Sequence, residues 1–400
     1  MPVDYDPFSH EVMRDPWRFY AELREHAPAH YVERYDTWFL SRFEDIWHAT
    51  GSDSFTATSG VTPESVLLKA PPPSEFPAFT TLDLPRQRAY RKPLVPMYTR
   101  RTANAMEGRV RALAREILTP LVARGHFDAH QDYADVVATT IAGELIGLPR
   151  DEAMPLRKLV DEQFNRDPGQ LGSSPANELA AGKLMTRLGE IIAERQQRGE
   201  QQGEDHISVW LREDFEGAPM SVQTAAVNAY VMLVTGTEVV PLSVANSVFY
   251  LGERPDTRRR LVEDPSLVPH AFAESLRYDQ PTNLLGRFVA KDLELHGEQL
   301  RAGQGVMLLW ASGNRDEREF ERADVFDIDR RPRRSLSFGH GIHKCIGEHL
   351  GNLEGRILLE ELLRVAPDYE LDRDGSERSY SEFLHGYRRV PVRVRPGEDV

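Results

Sequence analysis

Phe338-Gly339-His340-Gly341-Ile342-His343-Lys344-Cys345-Ile346-Gly347 is the densest chemistry in this 400-residue chain, and it holds the only cysteine. Glycines at 339, 341 and 347 let the backbone turn tightly and approach a flat ligand closely. Downstream, Leu350, Leu353, Ile357, Leu358, Leu362 and Val365 recur at helical spacing, so a helix is expected over 346–365 with Cys345 opening it. Free N–H groups and the dipole at such an end favour a thiolate over a thiol. Three readings of these residues are open. Cys345 is a thiolate ligand to haem iron, where its electron push favours O–O cleavage. Or His340, His343, Cys345 and His349 form a zinc cluster, although structural zinc sites space their ligands around defined knuckles. Or Cys345 is an inert buried thiol.

Composition narrows the class. Apolar residues make up 40% and charged residues 28%, ordinary for a globular chain with a sizeable core. No apolar run approaches the ~20 residues of a membrane span, and the acidic N-terminus lacks a signal region. A lone cysteine fits a reducing compartment, so a cytoplasmic location is expected. The net charge of −14 argues against nucleic-acid binding. Six lysines against 43 arginines point to a GC-rich genome and carry no chemistry.

No repeat or Pro/Gly/Ser linker divides the chain, which reads as one mainly helical domain over 1–400 with small β-sheets. Trp17–Glu25 reads as a helix behind Pro16, and residues 29–40 as a hairpin. Residues 59–85, with Pro71-Pro72-Pro73, are too broken for a helix and suit a lid or linker. Helices are expected over 105–124, 175–195 and 222–251, and strands at Phe288–Leu295, Gly305–Trp310 and Val390–Val394.

The anchors Phe338, Gly339, Gly341, His343, Cys345 and Gly347 match the haem-binding signature of the cytochrome P-450 superfamily. The chain resembles its bacterial soluble members from Asp15-Pro16 to Pro391-Val392. This resemblance implies the cytochrome P-450 fold, haem b (iron protoporphyrin IX) on Cys345, and monooxygenase activity. Glu274-Ser-Leu-Arg277 is similar to the family's Glu-x-x-Arg pair, a structural brace whose members share one helix face. Gln87, Arg91, Arg287 and His343 stand where the family binds the haem propionates, although Gln87 replaces the usual histidine. At Ala323-Asp-Val-Phe326, Val325 stands where an arginine often completes the brace, so the third arm is missing or supplied elsewhere.

The segment Leu233-Val-Thr-Gly236-Thr-Glu238-Val239-Val-Pro241 is similar to the family's oxygen-activating helix. Gly236 and Glu238 match; the usual threonine is Val239, which has similar shape but no polar atom. Glu238 remains able to shuttle protons. Thr235, one turn before Val239, either supplies the missing hydroxyl or bonds back to its own helix. Pro241 lacks an N–H and is expected to kink the helix. Three readings follow from Val239. A substrate hydroxyl completes the relay. Or the reaction is one such as oxidative coupling or desaturation, which needs no efficient oxygen insertion. Or hydrogen peroxide is used directly, which the absence of Arg-Pro at 238–239 disfavours.

By family position, Val231, Val234, Val239, Asn283, Leu284, Phe383 and Leu384 line the substrate pocket, with residues 60–80 beside them. Such walls suit a mostly hydrophobic small molecule, and natural-product tailoring is expected. No flavin, nicotinamide or iron–sulfur signature occurs, so electrons are expected from a ferredoxin and an NAD(P)H-dependent ferredoxin reductase, with O2 as co-substrate. Arg86, Arg88, Lys92, Arg333, Arg334 and Lys344 are candidates for a basic face around the thiolate side. A monomer without nucleic-acid or membrane partners is expected. The non-enzyme alternative is a catalytically idle haem protein that recruits or senses.

Overall fold

The computed structural model describes residues 3–70 and 75–395, so Pro71-Pro72-Pro73 lies outside the described residues. Helices dominate, with small sheets of five, three, two and two strands among the described residues. The organising element is the helix Val222–Gly252, here called the distal helix, 31 residues capped by the Ser221 hydroxyl on the Thr224 N–H. It is apolar nearly all round, and such a helix is stable only when surrounded. Helices Asp135–Ile146, Pro175–Gln197, Val268–Tyr278 and Glu348–Val365 all pack on it. It is long and apolar enough to cross a membrane, yet its most apolar stretch is two-thirds buried in the protein, as in a core helix. Pro241 does not interrupt it; packed neighbours hold it on several sides.

The five-stranded sheet runs in the order Ala29–Val32, Thr37–Leu40, Gly305–Leu308, Leu285–Val289, Phe55–Thr56. Its first two strands form the expected hairpin, and Thr37–Leu40 then pairs in parallel with Gly305–Leu308. This sheet places Arg287 beside the cysteine loop. The main core gathers the helices, and two smaller cores lie under the N-terminal segment and between the sheet and helix Phe43–Gly51.

Several expectations need correction. The 59–85 segment does contain a helix, Pro63–Leu67, because Thr62 and Ser65 form a reciprocal capping box and Pro63 suits the first helical position. The helix expected over 105–124 is present as Glu107–Arg124, and a separate short helix, Arg100–Ala105, precedes it. The 288–295 strand is split into Leu285–Val289 and Leu293–Leu295. Cys345 does not open the last long helix, which starts at Glu348 behind Gly347.

Candidate active site

The cysteine loop is a tight backbone construction. Gly339 and Gly341 take φ of 69° and 72°, and a Cβ at Gly341 would lie 2.0 Å from the Thr50 carbonyl oxygen. The Cys345 N–H donates to the Phe338 carbonyl at 2.8 Å and closes the loop. Gln87 Nε2 donates to the Ile342 carbonyl at 2.6 Å. Arg91 donates to the carbonyls of Ile342 and Lys344. Gln87 and Arg91 therefore hold the loop's backbone. The Cys345 side chain is exposed, yet surrounding protein pushes its thiol pKa up, while the Gly347 N–H and Arg91 favour the thiolate. The combination describes a sulfur facing an internal hollow.

Beneath the loop, Arg277 makes a bidentate pair with Glu274 at 2.8 and 2.7 Å. Its other N–H groups reach the carbonyls of Asn314, Ala323 and Val325. The arm missing at Val325 is supplied by Arg330, 3.3 Å from Glu274. Val325 contributes only its carbonyl, to both arginines.

The residues around the hollow fit a haem. Arg287 is buried, yet its one hydrogen bond goes to the carbonyl of Gly286, and no carboxylate lies within ion-pair distance among the described residues. Nearby Asp83 is engaged by the Thr56 hydroxyl and the Ala57 N–H. Burial pushes the Arg287 pKa down to about 10. His343 Nε2 is buried without a partner, and burial with the charges of Arg287 and Arg91 pushes that ring down to about 4. A cation and a donor left unmet beside a free sulfur are what a carboxylate-bearing, thiolate-ligated macrocycle needs. Among the described residues no three His, Cys, Asp or Glu side chains converge as a metal cluster, which removes the zinc reading.

On the distal helix, Val231, Thr235 and Val239 form one stripe that is not closed over by protein. Thr235 donates its hydroxyl proton to the Val231 carbonyl at 2.8 Å, so the relay role expected of it is corrected: that proton is committed to its own helix. A Cβ at Gly236 would lie 3.1 Å from Ala142, so this glycine lets the distal helix pack closely on Asp135–Ile146. Val234 lies in the main core.

Glu238 is buried and paired with Arg157 at 2.6 Å. Arg157 also meets Asp135 at 2.6 Å and Asp161 at 2.9 Å. Burial first, then the two other carboxylates, push Glu238 up to about 7 against the pull of Arg157. Sequence reasoning missed Arg157, Asp135 and Asp161, because nothing marks one arginine among 43.

Three pocket expectations are corrected. Asn283 is buried, accepting from Tyr20 OH at 2.8 Å and donating to the Glu382 carbonyl at 2.9 Å. Leu284 belongs to the N-terminal core. Leu384 is buried in a bridge with Thr282. Phe383 stacks on Phe164 with centroids 5.8 Å apart. Three cations of the expected basic face are neutralised: Arg86 by Glu216, Arg334 by Glu44 and Glu319, and Lys344 by Glu348.

Residues 180–366 match the model of the family described as Cytochrome P-450. A Mycobacterium tuberculosis protein named cytochrome P-450 123 is 30% identical over 394 residues, spanning 98% of this chain and 96% of that protein. Cyclomarin C epoxidase of Salinispora arenicola is 30% identical over 351 residues, 86% of this chain and 87% of its own. The crystal structure of CalO2 superposes with a TM-score of 0.88 at 26% identity, covering 99% of this chain and 100% of that one.

Proposed function

The chain belongs to the cytochrome P-450 family and is a haem-thiolate monooxygenase, and we propose that it hydroxylates a mostly hydrophobic small molecule that brings its own hydroxyl group to the oxygen-binding side. It binds haem b through Cys345. Haem held by a thiolate supplies O2 activation, the sulfur's electron push favouring O–O cleavage. Cys345 is the residue that would ligate it, with Arg287 and His343 meeting its propionates.

The carrying observation is the distal stripe. Val239 has no polar atom, and the Thr235 proton is spent on Val231. No side chain on that stripe has a free hydroxyl proton to donate, so a substrate hydroxyl supports the positioning. Glu238 is the protein's proton donor behind it. An acid near its pKa at neutral pH both gives and regains a proton readily. The whole chain acts as one cytoplasmic domain taking electrons from a ferredoxin and its NAD(P)H-dependent reductase. Arg88, Lys92 and Arg333, which have no ion pair among the described residues, favour an acidic donor. Relatives of printed tailoring activity, such as cyclomarin C epoxidase, support a natural-product substrate.

The test is turnover under labelled O2 with purified ferredoxin and reductase, using matched substrates with and without a hydroxyl near the oxidised carbon. The hydroxylated member is expected to give singly labelled product with tight use of NAD(P)H. Its deoxy partner is expected to consume NAD(P)H with little product. Equal coupling for both overturns the substrate-assisted reading.

A further inference from the structure

We propose that Asp135 is a positioning residue that keeps Glu238 in its acid form by competing with it for the guanidinium of Arg157. The inference rests on Glu238 being the distal acid. Arg157 is buried between three helices and is the one cation set among three carboxylates: Asp135 from Asp135–Ile146, Asp161 from its own helix Arg150–Phe164, and Glu238 from the distal helix. The remaining neighbours do not balance that charge. His130, on the segment Ala129–Ala134, is buried with neither ring nitrogen partnered, and burial pushes it down to about 3, so it is neutral. Arg388, on Tyr387–Arg389, is exposed, bonds Asn165 Oδ1 and eases the charge of Asp161, the most exposed of the three, leaving Asp135 and Glu238 to Arg157.

One guanidinium cannot neutralise three carboxylates, and a buried uncompensated carboxylate binds a proton instead. Hydrogen bonds decide which. Asp161 is half exposed, so water stabilises its charge. Asp135 takes Arg157 Nε at 2.6 Å and lies 3.5 Å from the Thr139 hydroxyl. Glu238 receives only Arg157 Nη1, which it shares with Asp161. It has fewer donors than Asp135 and less water than Asp161, so it carries the proton. With Val239 giving no hydrogen bond, a distal acid loaded before oxygen arrives is the arrangement this site can use.

The test is infrared titration of the ferric, haem-loaded enzyme, following the protonated-carboxyl stretch between about pH 5 and 9. The wild type is expected to show a band that Glu238→Gln removes and that titrates near neutrality. Asp135→Asn is expected to move its midpoint down by about one pH unit, roughly a tenfold change in acid form above the midpoint. Asp161→Asn, at the surface, is expected to move it the same way by less. A midpoint that Asp135→Asn does not move down, or no band lost in Glu238→Gln, overturns the proposal. The carbon monoxide spectrum of the same samples reports the haem site separately, so loss of cofactor is not mistaken for failure of the inference.

Discussion

Arg277, under the cysteine loop, and Arg157, behind the distal helix, are both 1% exposed and both pair with a glutamate, yet their surroundings are inverted. Around Arg277 the cations are in excess. Arg277 and Arg330 share Glu274, and backbone carbonyls take the remaining donors. Around Arg157 the carboxylates outnumber the cation three to one. The first arrangement leaves no acid short of donors and acts as a brace. The second leaves an acid short of donors in a dry place, which is how a proton is stored. Stoichiometry, more than residue type, separates scaffold from chemistry here.

That contrast can be broken from either side. The largest effect is expected at the sulfur above the brace, where Cys345→Ala removes thiolate-type ligation altogether, read as loss of the red-shifted carbon monoxide band. Breaking the brace comes next. Glu274→Ala leaves the buried Arg277 and the half-buried Arg330 without a carboxylate, at a cost of about 3–5 kcal/mol, seen as a lower denaturation midpoint and poor haem retention. On the distal side, Glu238→Gln is expected to lower product formation about 10²-fold while substrate binding, read by the spin-state shift, is kept.

Acidity gives a smaller, signed prediction. Glu238 and Glu354 are raised from the ordinary carboxyl range, to about 7 and about 8, chiefly by burial. The folded state binds these protons more tightly than the unfolded chain, while buried His130 and His343, held low, act the other way below about 6.5, so stability falls as pH rises from about 6.5 to 8 and then levels. Glu354→Gln should flatten the upper part of that decline in a melting series; a stability that rises across the window contradicts it. The smallest effect is at Val239→Thr. With the hydroxyl-bearing substrate coupling is expected unchanged, whereas with its deoxy partner one restored hydrogen bond of about 1 kcal/mol shifts partition toward product about fivefold, measured as product per NAD(P)H. A deoxy substrate whose coupling Val239→Thr leaves unchanged contradicts the substrate-assisted reading.

How much of this was legible in the sequence follows the same divide. The cysteine loop reads directly, because its anchors are local and each glycine answers a backbone constraint such as the Thr50 contact at Gly341. The Glu274–Arg277 pair is legible only by its place, since Glu11/Arg14 and Glu361/Arg364 share its spacing. Arg330 was not legible as the third arm, because it reaches Glu274 through a turn. The Arg157 cluster joins three helices and no local pattern announces it. Asn283 and Leu284 were misread for a related reason: position in a family pattern does not say which way a side chain packs. Thr62 and Pro63 do carry a capping signal, hidden in a proline-rich stretch that reads as loop.

The most direct test of the central claim, a haem held by the Cys345 thiolate, is the carbon monoxide difference spectrum of the reduced protein. The account predicts a strongly red-shifted haem band. A band of the histidine-ligated type, or no haem absorption, would contradict it.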